Sequence, residues 1–382
     1  MTNRIRESCI NIIAKLGFRW IGFGRLLLVL AILAGGMPAR ALVITPSWDS
    51  SITNDPNAAT IKSTINTAIE YYQTRFSDPI TVTIKFQEIT TAGLGHSSWW
   101  YYNISYSQFR TALQNDAATA NDTIALANLP TGANNPVTGT GIIRVKTANL
   151  RALGITGKNS GLPGGVDGII GLHTSRMNLS RASTDPNKYD LLATTEHEID
   201  EVLGLASSLD SNAGDPLPED LFRYTSSGNR TFTTNDDDAY FSIDGANLLA
   251  RFNQDSAGDY GDWWTAGVHQ PQVQDAFATA GATPDPGTEL IALDVIGYNL
   301  VPVPQPAITG ISLSGTQLVL NGTNGLASGT YHVLTSTNLA LPLNQWTAVA
   351  TNRLSASGNF TITATNVVNP NDAERFFTLQ LQ

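Results

Sequence analysis

Cysteine is almost missing from this chain. The only one, Cys9, lies in an N-terminal segment that reads as a secretory signal, so the expected mature protein has no disulfide, no thiol nucleophile and no thiolate ligand. Any metal site must then be built from His, Asp, Glu and water. Charge is also scarce. Charged residues are 14% of 382, against ~25% in an ordinary soluble domain, and the chain is rich in Gly, Ser, Thr and Asn. That composition suits an extracellular protein.

The apolar run near the N-terminus, Leu26–Ala34, is well short of the ~20 residues that span a bilayer. Arg4, Arg6, Lys15, Arg19 and Arg25 precede it and Ala39-Arg40-Ala41 follows, which is the layout of a signal peptide over 1–41 cleaved after Ala41. That segment holds six of the 22 basic residues and one of the 32 acidic ones, so the mature chain keeps 16 and 31, a net charge of −15. A strongly acidic surface excludes nucleic acid and anionic membranes as partners and is compatible with cation binding. No apolar segment follows Leu381, so no C-terminal anchor is expected.

Periodicity predicts an α+β chain. Ile61, Ile65, Ala68, Ile69, Tyr72 and Phe76 form one helical stripe, and Ile80–Phe86 alternates as a half-buried strand. Ser105–Asn115 reads as a second helix with Phe109, Ala112 and Leu113 inward. Strands are expected at Asp122–Ala127, Gly141–Lys146 and Ile169–Leu172. A helix is expected from Tyr189 to about Gly204, with Asp190 as its N-cap and Gly204 past its end. Residues 205–300 are loop-rich, and "ELIALDVIGYN" (Glu289–Asn299) reads as a helical turn running into a close-packed glycine. Alternating prolines make 301–310 a stiff linker. Short strand-like runs at Gln317–Leu320, Thr330–Ser336, Trp346–Thr351, Asn359–Ala364 and Phe376–Leu381 predict a small β-sandwich over 311–382.

The stretch "TTEHEIDEVLGLASSLD" (Thr194–Asp210) carries the chemistry. On a helix His197 and Glu201 lie one turn apart on the same face and can point at one ion, while Glu198, about 100° around, can reach a water on that ion. This is the logic of H-E-x-x-H zinc hydrolases, in which the glutamate is the general base. A second histidine is lacking, but Glu is a legitimate oxygen ligand for zinc. The added negative charge makes a coordinated water a weaker acid than in an all-histidine site. A charged helix face is the competing explanation of the same letters. In the longer pattern H-E-x-x-H-x-x-G-x-x-H, Gly204 is in register and Ser207 stands at the third-ligand position. Serine is a poor zinc ligand, and Asp210 is the nearest substitute.

These blocks, "EHEIDEVLG", "EDLFRYTSSGNRTF", "AYFSIDG", "FNQDSAGDYGDW" and "ALDVIGYN", resemble a family of secreted bacterial metalloproteases with an H-E-I-x-E-V-[LM]-G motif, itself distantly similar to metzincins. The resemblance spans roughly 57–300. It implies a metzincin-like catalytic domain over 42–300, with a mixed twisted sheet whose edge strand along the cleft is Asp167–Leu172. It implies His197 and Glu201 as ligands, Glu198 as base, Zn²⁺ as cofactor, and a secreted monomer that cuts polypeptides. The only methionines are Met1, Met37 and Met177, so no Met-turn follows the motif, and "ALDVIGY" is the segment in that place. Residues 306–382 resemble a C-terminal β-module of secreted proteins from verrucomicrobial-type bacteria, associated with adhesion or sorting.

The alternative is a non-catalytic surface or adhesion protein on a degenerate protease scaffold, glycan-binding through aromatics such as Trp99-Trp100-Tyr101-Tyr102 beside His96. His173 and His269 are further ligand candidates, and His332 reads as structural. Asp236–Asp238 with Asp255, Asp259 and Asp262 suggest Ca²⁺ as a second cation, although neither run has EF-hand spacing. Tyr224, next to Arg223, is a candidate oxyanion donor.

Overall fold

The computed structural model describes residues 42–382, apart from 92, 212–213, 235–237, 268, 303, 327–328, 340, 342, 356, 369–373 and 382 and the side chains of 210, 211 and 344. The expected signal peptide lies outside the described residues. The chain is α+β. It opens with β1 (Val43–Trp48), the short α1 (Ser50–Thr53), α2 (Ala58–Arg75) and β2 (Thr81–Glu88). Next come β3 (Gly95–Trp99), β4 (Tyr101–Ser105), α3 (Tyr106–Asp116), α4 (Ala120–Asn128), β5 (Ile142–Lys146), α5 (Thr147–Ala152) and β6 (Gly168–Leu172). Short pairings β7 (Met177–Asn178) and β8 (Tyr189–Asp190) lead into the motif helix α6 (Leu191–Leu203). Three further two-residue strands, β9 (Arg223–Tyr224), β10 (Tyr240–Phe241) and β11 (Ala250–Arg251), precede α7 (Thr288–Val295).

The main sheet has the order β1-β2-β6-β3, with the first three strands parallel and β3 antiparallel to β6. The strand bordering the cleft is therefore β3, not Asp167–Leu172, which is flanked on both sides. The reason is visible in the residues. "GIIGL" is apolar throughout, as a strand with two neighbours should be, whereas Gly95–Trp99 mixes polar and aromatic side chains. The expected strand at Asp122–Ala127 is instead helix α4. A reciprocal cap starts it: the Asp122 amide donates to Thr119 Oγ1 (3.1 Å) and the Thr119 amide donates to Asp122 Oδ2 (2.8 Å).

The predicted α2 stripe is wholly buried and meets α6, with the Tyr72 hydroxyl donating to the Glu196 carbonyl at 3.1 Å. Helix α6 is capped by Asp190, whose carboxylate accepts from the Leu192 amide at 3.2 Å. At Gly204 the backbone is extended (φ 174°), so no left-handed turn calls for glycine there. Space does: a Cβ would lie 2.5 Å from Ile296 Cδ1. Gly297 after α7 does need a positive φ (115°) and packs on Leu153. The Tyr298 hydroxyl donates to the Leu203 carbonyl at 2.7 Å, so the "ALDVIGY" segment packs beneath the end of the motif helix.

The last fifth of the chain forms a second hydrophobic cluster from two three-stranded sheets. They are β12 (Ala307–Ser314), β13 (Gln317–Thr323) and β16 (Phe360–Ala364), and β15 (Thr347–Arg353), β14 (Thr330–Ser336) and β17 (Phe376–Leu381). The five expected strands are present. β12 is additional and begins inside the expected linker, because its prolines end before Ala307. Among the described residues no helix is long and apolar enough to cross a membrane.

Lys146 holds the end of the motif helix. Only 1% exposed, its ammonium donates to the carbonyls of Glu201 (2.5 Å) and Leu205 (2.8 Å) and lies 3.9 Å from the centre of the Trp99 ring. Cations at a helix C-terminus satisfy otherwise unpaired carbonyls and the helix dipole. Lys146→Met should lower unfolding free energy by about 2–4 kcal/mol, because buried carbonyls lose their donor. Denaturant melts would show it, and an unchanged midpoint would refute this role.

Candidate metal centre

Helix α6 buries its acids instead of displaying them. Glu196, Glu198, Asp200 and Glu201 are 3, 4, 0 and 8% exposed. A charged solvent face is thus ruled out for this helix, and its buried acids need either a nearby positive charge or the neutral form. His197 and Glu201 converge with Asp262, each offering one ligand atom within 4.8 Å of the others. His197 Nε2 is 3.8 Å from Glu201 Oε1 and 3.6 Å from Asp262 Oδ2. Donors ~2.1 Å from a tetrahedral ion stand about 3.4 Å apart, so the spacing suits a single ion with little adjustment.

Each ligand is held from behind. His197 Nδ1 is 3.0 Å from the Val273 carbonyl, which can only accept. The proton is therefore assigned to Nδ1, and in the neutral ring Nε2 carries the lone pair facing the cluster. The Ser97 hydroxyl on β3 donates to Glu201 Oε2. Gln274 Nε2 donates to Asp262 Oδ1 at 2.9 Å. Asp262 Oδ1 is thus committed to the protein, leaving Oδ2 for the cluster, while Glu201 also shares hydrogen bonds with Glu198 and with Asp259 on the cleft wall.

Burial alone would lower the His197 pKa, but Asp262, Glu198 and Glu201, with the Val273 carbonyl, outweigh it and raise it to about 10. Burial, then the Glu201 carboxylate, raises Glu198. Burial raises Asp262, opposed first by His197. Glu198 Oε2 is buried without a hydrogen-bond partner. Its carboxyl fits because β3 has glycine opposite: a Cβ on Gly95 would lie 2.0 Å from Glu198 Oε1.

The other candidates separate. The Ser207 hydroxyl donates to Asp220 Oδ1 at 2.6 Å, so the expected third-ligand position serves a loop anchor. The backbone of Asp210 falls in a 3-10 turn, Ser208–Ser211, and its side chain lies outside the described residues. The third member of the cluster is Asp262, one of the acids considered for calcium. Of that calcium set, Asp236 and Asp237 lie outside the described residues, Asp238 pairs with Arg251 at 2.7 Å and Asp255 caps the Ala257 amide. His269 is paired with Asp275 (3.0 Å), His173 Nδ1 lies 3.2 Å from the Gly93 carbonyl, and His332 Nδ1 lies 2.8 Å from Thr351 Oγ1. Tyr224 packs on Gly245 and under Arg230, away from the cleft. His96 does line the cleft. The cleft has a volume of about 890 Å³, and Trp99 and Tyr101 form part of its wall.

No family model, no curated protein and no solved structure matches the chain.

Asp262→Asn and Ser207→Ala should separate ligand from anchor. The first is expected to lose bound metal. The second should keep it while costing about 1–3 kcal/mol in a denaturant melt, the penalty for a buried acceptor left short of its donor. Metal analysis of both purified proteins checks this, and loss of metal from Ser207→Ala would contradict the assignment.

Proposed function

We propose that the protein is a secreted zinc-dependent endopeptidase of metzincin-like type, with His197, Glu201 and Asp262 as the ligands and Glu198 as the base. The observation that carries this reading is the buried Glu198 carboxyl, with Oε2 lacking a partner, one residue along the helix from a His/Glu/Asp cluster whose spacing suits one divalent ion. The donor set fits zinc. A neutral imidazole and two carboxylates balance a double positive charge, and all three ligand types are ones zinc accepts. Bound zinc would supply Lewis acidity and bring the pKa of a coordinated water toward ~7.

The chain's own residues do the rest. Glu198, held in place by the open space over Gly95, accepts a proton from the attacking water and returns it to the leaving amine. Its raised proton affinity suits both transfers. Ser97, Gln274 and the Val273 carbonyl keep the ligands oriented between turnovers. The edge strand β3 runs along the cleft, and an extended substrate has room beside it. The 311–382 region, with its two sheets, is read as a β-sandwich accessory module, and 1–41 as the export signal. Glycan recognition by the cleft aromatics is less well supported, since one face of Trp99 is covered by Lys146 and one face of Tyr101 by Arg144, 5.2 Å from its centre.

Glu198→Gln should keep stoichiometric zinc while peptide cleavage falls by about 10²–10⁴-fold, the usual contribution of a positioned base. Zinc retained with undiminished cleavage would remove Glu198 from the mechanism, and wild-type protein without zinc affinity would end the reading.

A pH signature follows from His197. Its folded pKa, about 10, lies above the ordinary histidine value of 6.5, so in metal-free protein its charged form adds stability fully present below ~6.5 and lost as pH rises through ~10. Nitrogen chemical shifts of the ring at pH 8 should show imidazolium without metal and the neutral Nδ1–H ring with zinc, and zinc uptake at that pH should release protons. A neutral ring in metal-free protein at pH 8 would contradict the charge balance.

A further inference from the structure

Arg144 stands in the same cleft with no ion-pair partner among the described residues, and its buried Nε has no hydrogen-bond partner. Its position follows from strand alternation. Ile143 and Val145 of β5 enter the core, which turns Arg144 and Lys146 to the opposite face. The segment from β3 runs into β4, the antiparallel partner of β5, with Tyr101 opposite Lys146 and diagonal to Arg144. Ser97 meets Glu201, Trp99 meets Lys146 at 3.9 Å, and Tyr101 meets Arg144 at 5.2 Å. From Ser97 to Tyr101 is four residues of nearly extended chain, about 13 Å.

The guanidinium carbon lies 5.2 Å from the centre of the Tyr101 ring, and with Nε buried the two terminal nitrogens are the pair that can meet a carboxylate end-on. The other guanidinium of the cleft, Arg176, is at the far end and already donates to the Gly93 carbonyl at 3.3 Å. Around the metal cluster the wall is acidic, so Arg144 is the place where the cleft changes sign. We propose that Arg144 is a specificity-determining residue that receives a carboxylate of the polypeptide substrate, three to four residues from the bond that is cut. This rests on the endopeptidase reading. The carboxylate is that of an Asp or Glu side chain or of the substrate's C-terminus.

The test maps cleavage sites by mass spectrometry in an unbiased peptide mixture, with full-length zinc-loaded wild type, Arg144→Ala and Arg144→Glu, each checked for zinc content and folding. Half of the mixture is C-terminally amidated. Wild type should favour Asp or Glu three to four residues from the cut by on the order of tenfold. If the C-terminal carboxylate is the ligand, cuts should instead lie three to four residues from chain ends and disappear on amidation. Arg144→Ala should abolish the preference, and Arg144→Glu should turn it toward Lys and Arg. Efficient cleavage without either preference, or a preference unchanged in Arg144→Glu, overturns the proposal while leaving the peptidase reading intact. Wild type that cuts no peptide at all overturns both.

Discussion

Carboxylates do not remain in a protein interior without a compensating charge, and most of this structure is arranged around that cost. The motif helix and the loops against it bury Glu196, Glu198, Asp200, Glu201, Asp262 and Glu289. Four of them fall into two sets. Glu201 and Asp262 face His197 across less than 4 Å, where one divalent ion would neutralise them. Asp200 and Glu289 lie in the interior, each with both oxygens unpaired, and there burial raises the proton affinity of both, favouring the neutral acid. One helix thus carries acids meant for a cation and acids kept uncharged.

Holding those acids in place falls to residues with no chemistry of their own. Ser97, Gln274 and the Val273 carbonyl each occupy the back of one ligand. Lys146 fastens the last turn of the helix, and Ile296 and Tyr298 pack beneath it where a methionine turn would be expected from the resemblance. Glycine works here mainly by leaving space. At Gly95, Gly204 and Gly168 an added Cβ would meet Glu198, Ile296 and Val202 at 2.0, 2.5 and 2.3 Å. The first of these makes room for the base and the others let the helix sit tightly on its surroundings.

Strand β3 connects the centre to the cleft. Its inward residues, Gly95, Ser97 and Trp99, meet in turn Glu198, Glu201 and the capping Lys146. A single edge strand thereby sets the height of the helix and forms one wall of the cleft. Beyond Trp100 the same spacing continues to Tyr101 and Arg144, so the cleft is lined in regular steps from the acidic centre to the guanidinium.

Much of this was legible in the letters. The stripe from Ile61 to Phe76, the alternation of Ile80–Phe86, the Asp190 cap and the pairing of His197 with Glu201 all rest on contacts within a few residues, where helix and strand periods fix which side chains share a face. The misread elements had local patterns that serve two structures. Asp122–Ala127 is a short apolar run of strand-like length but is governed by its cap, and Asp167–Leu172 looks like a cleft border until its neighbours are known. Asp262 shows the boundary most clearly. It lies about sixty residues beyond the motif, in a loop rich in other acids and without periodicity. The sequence by itself determined that one helix would carry His197 and Glu201 on one face with Glu198 beside them. Which acid completes the set was decided by the tertiary structure alone, because only packing brings a distant loop back to within 3.6 Å of His197.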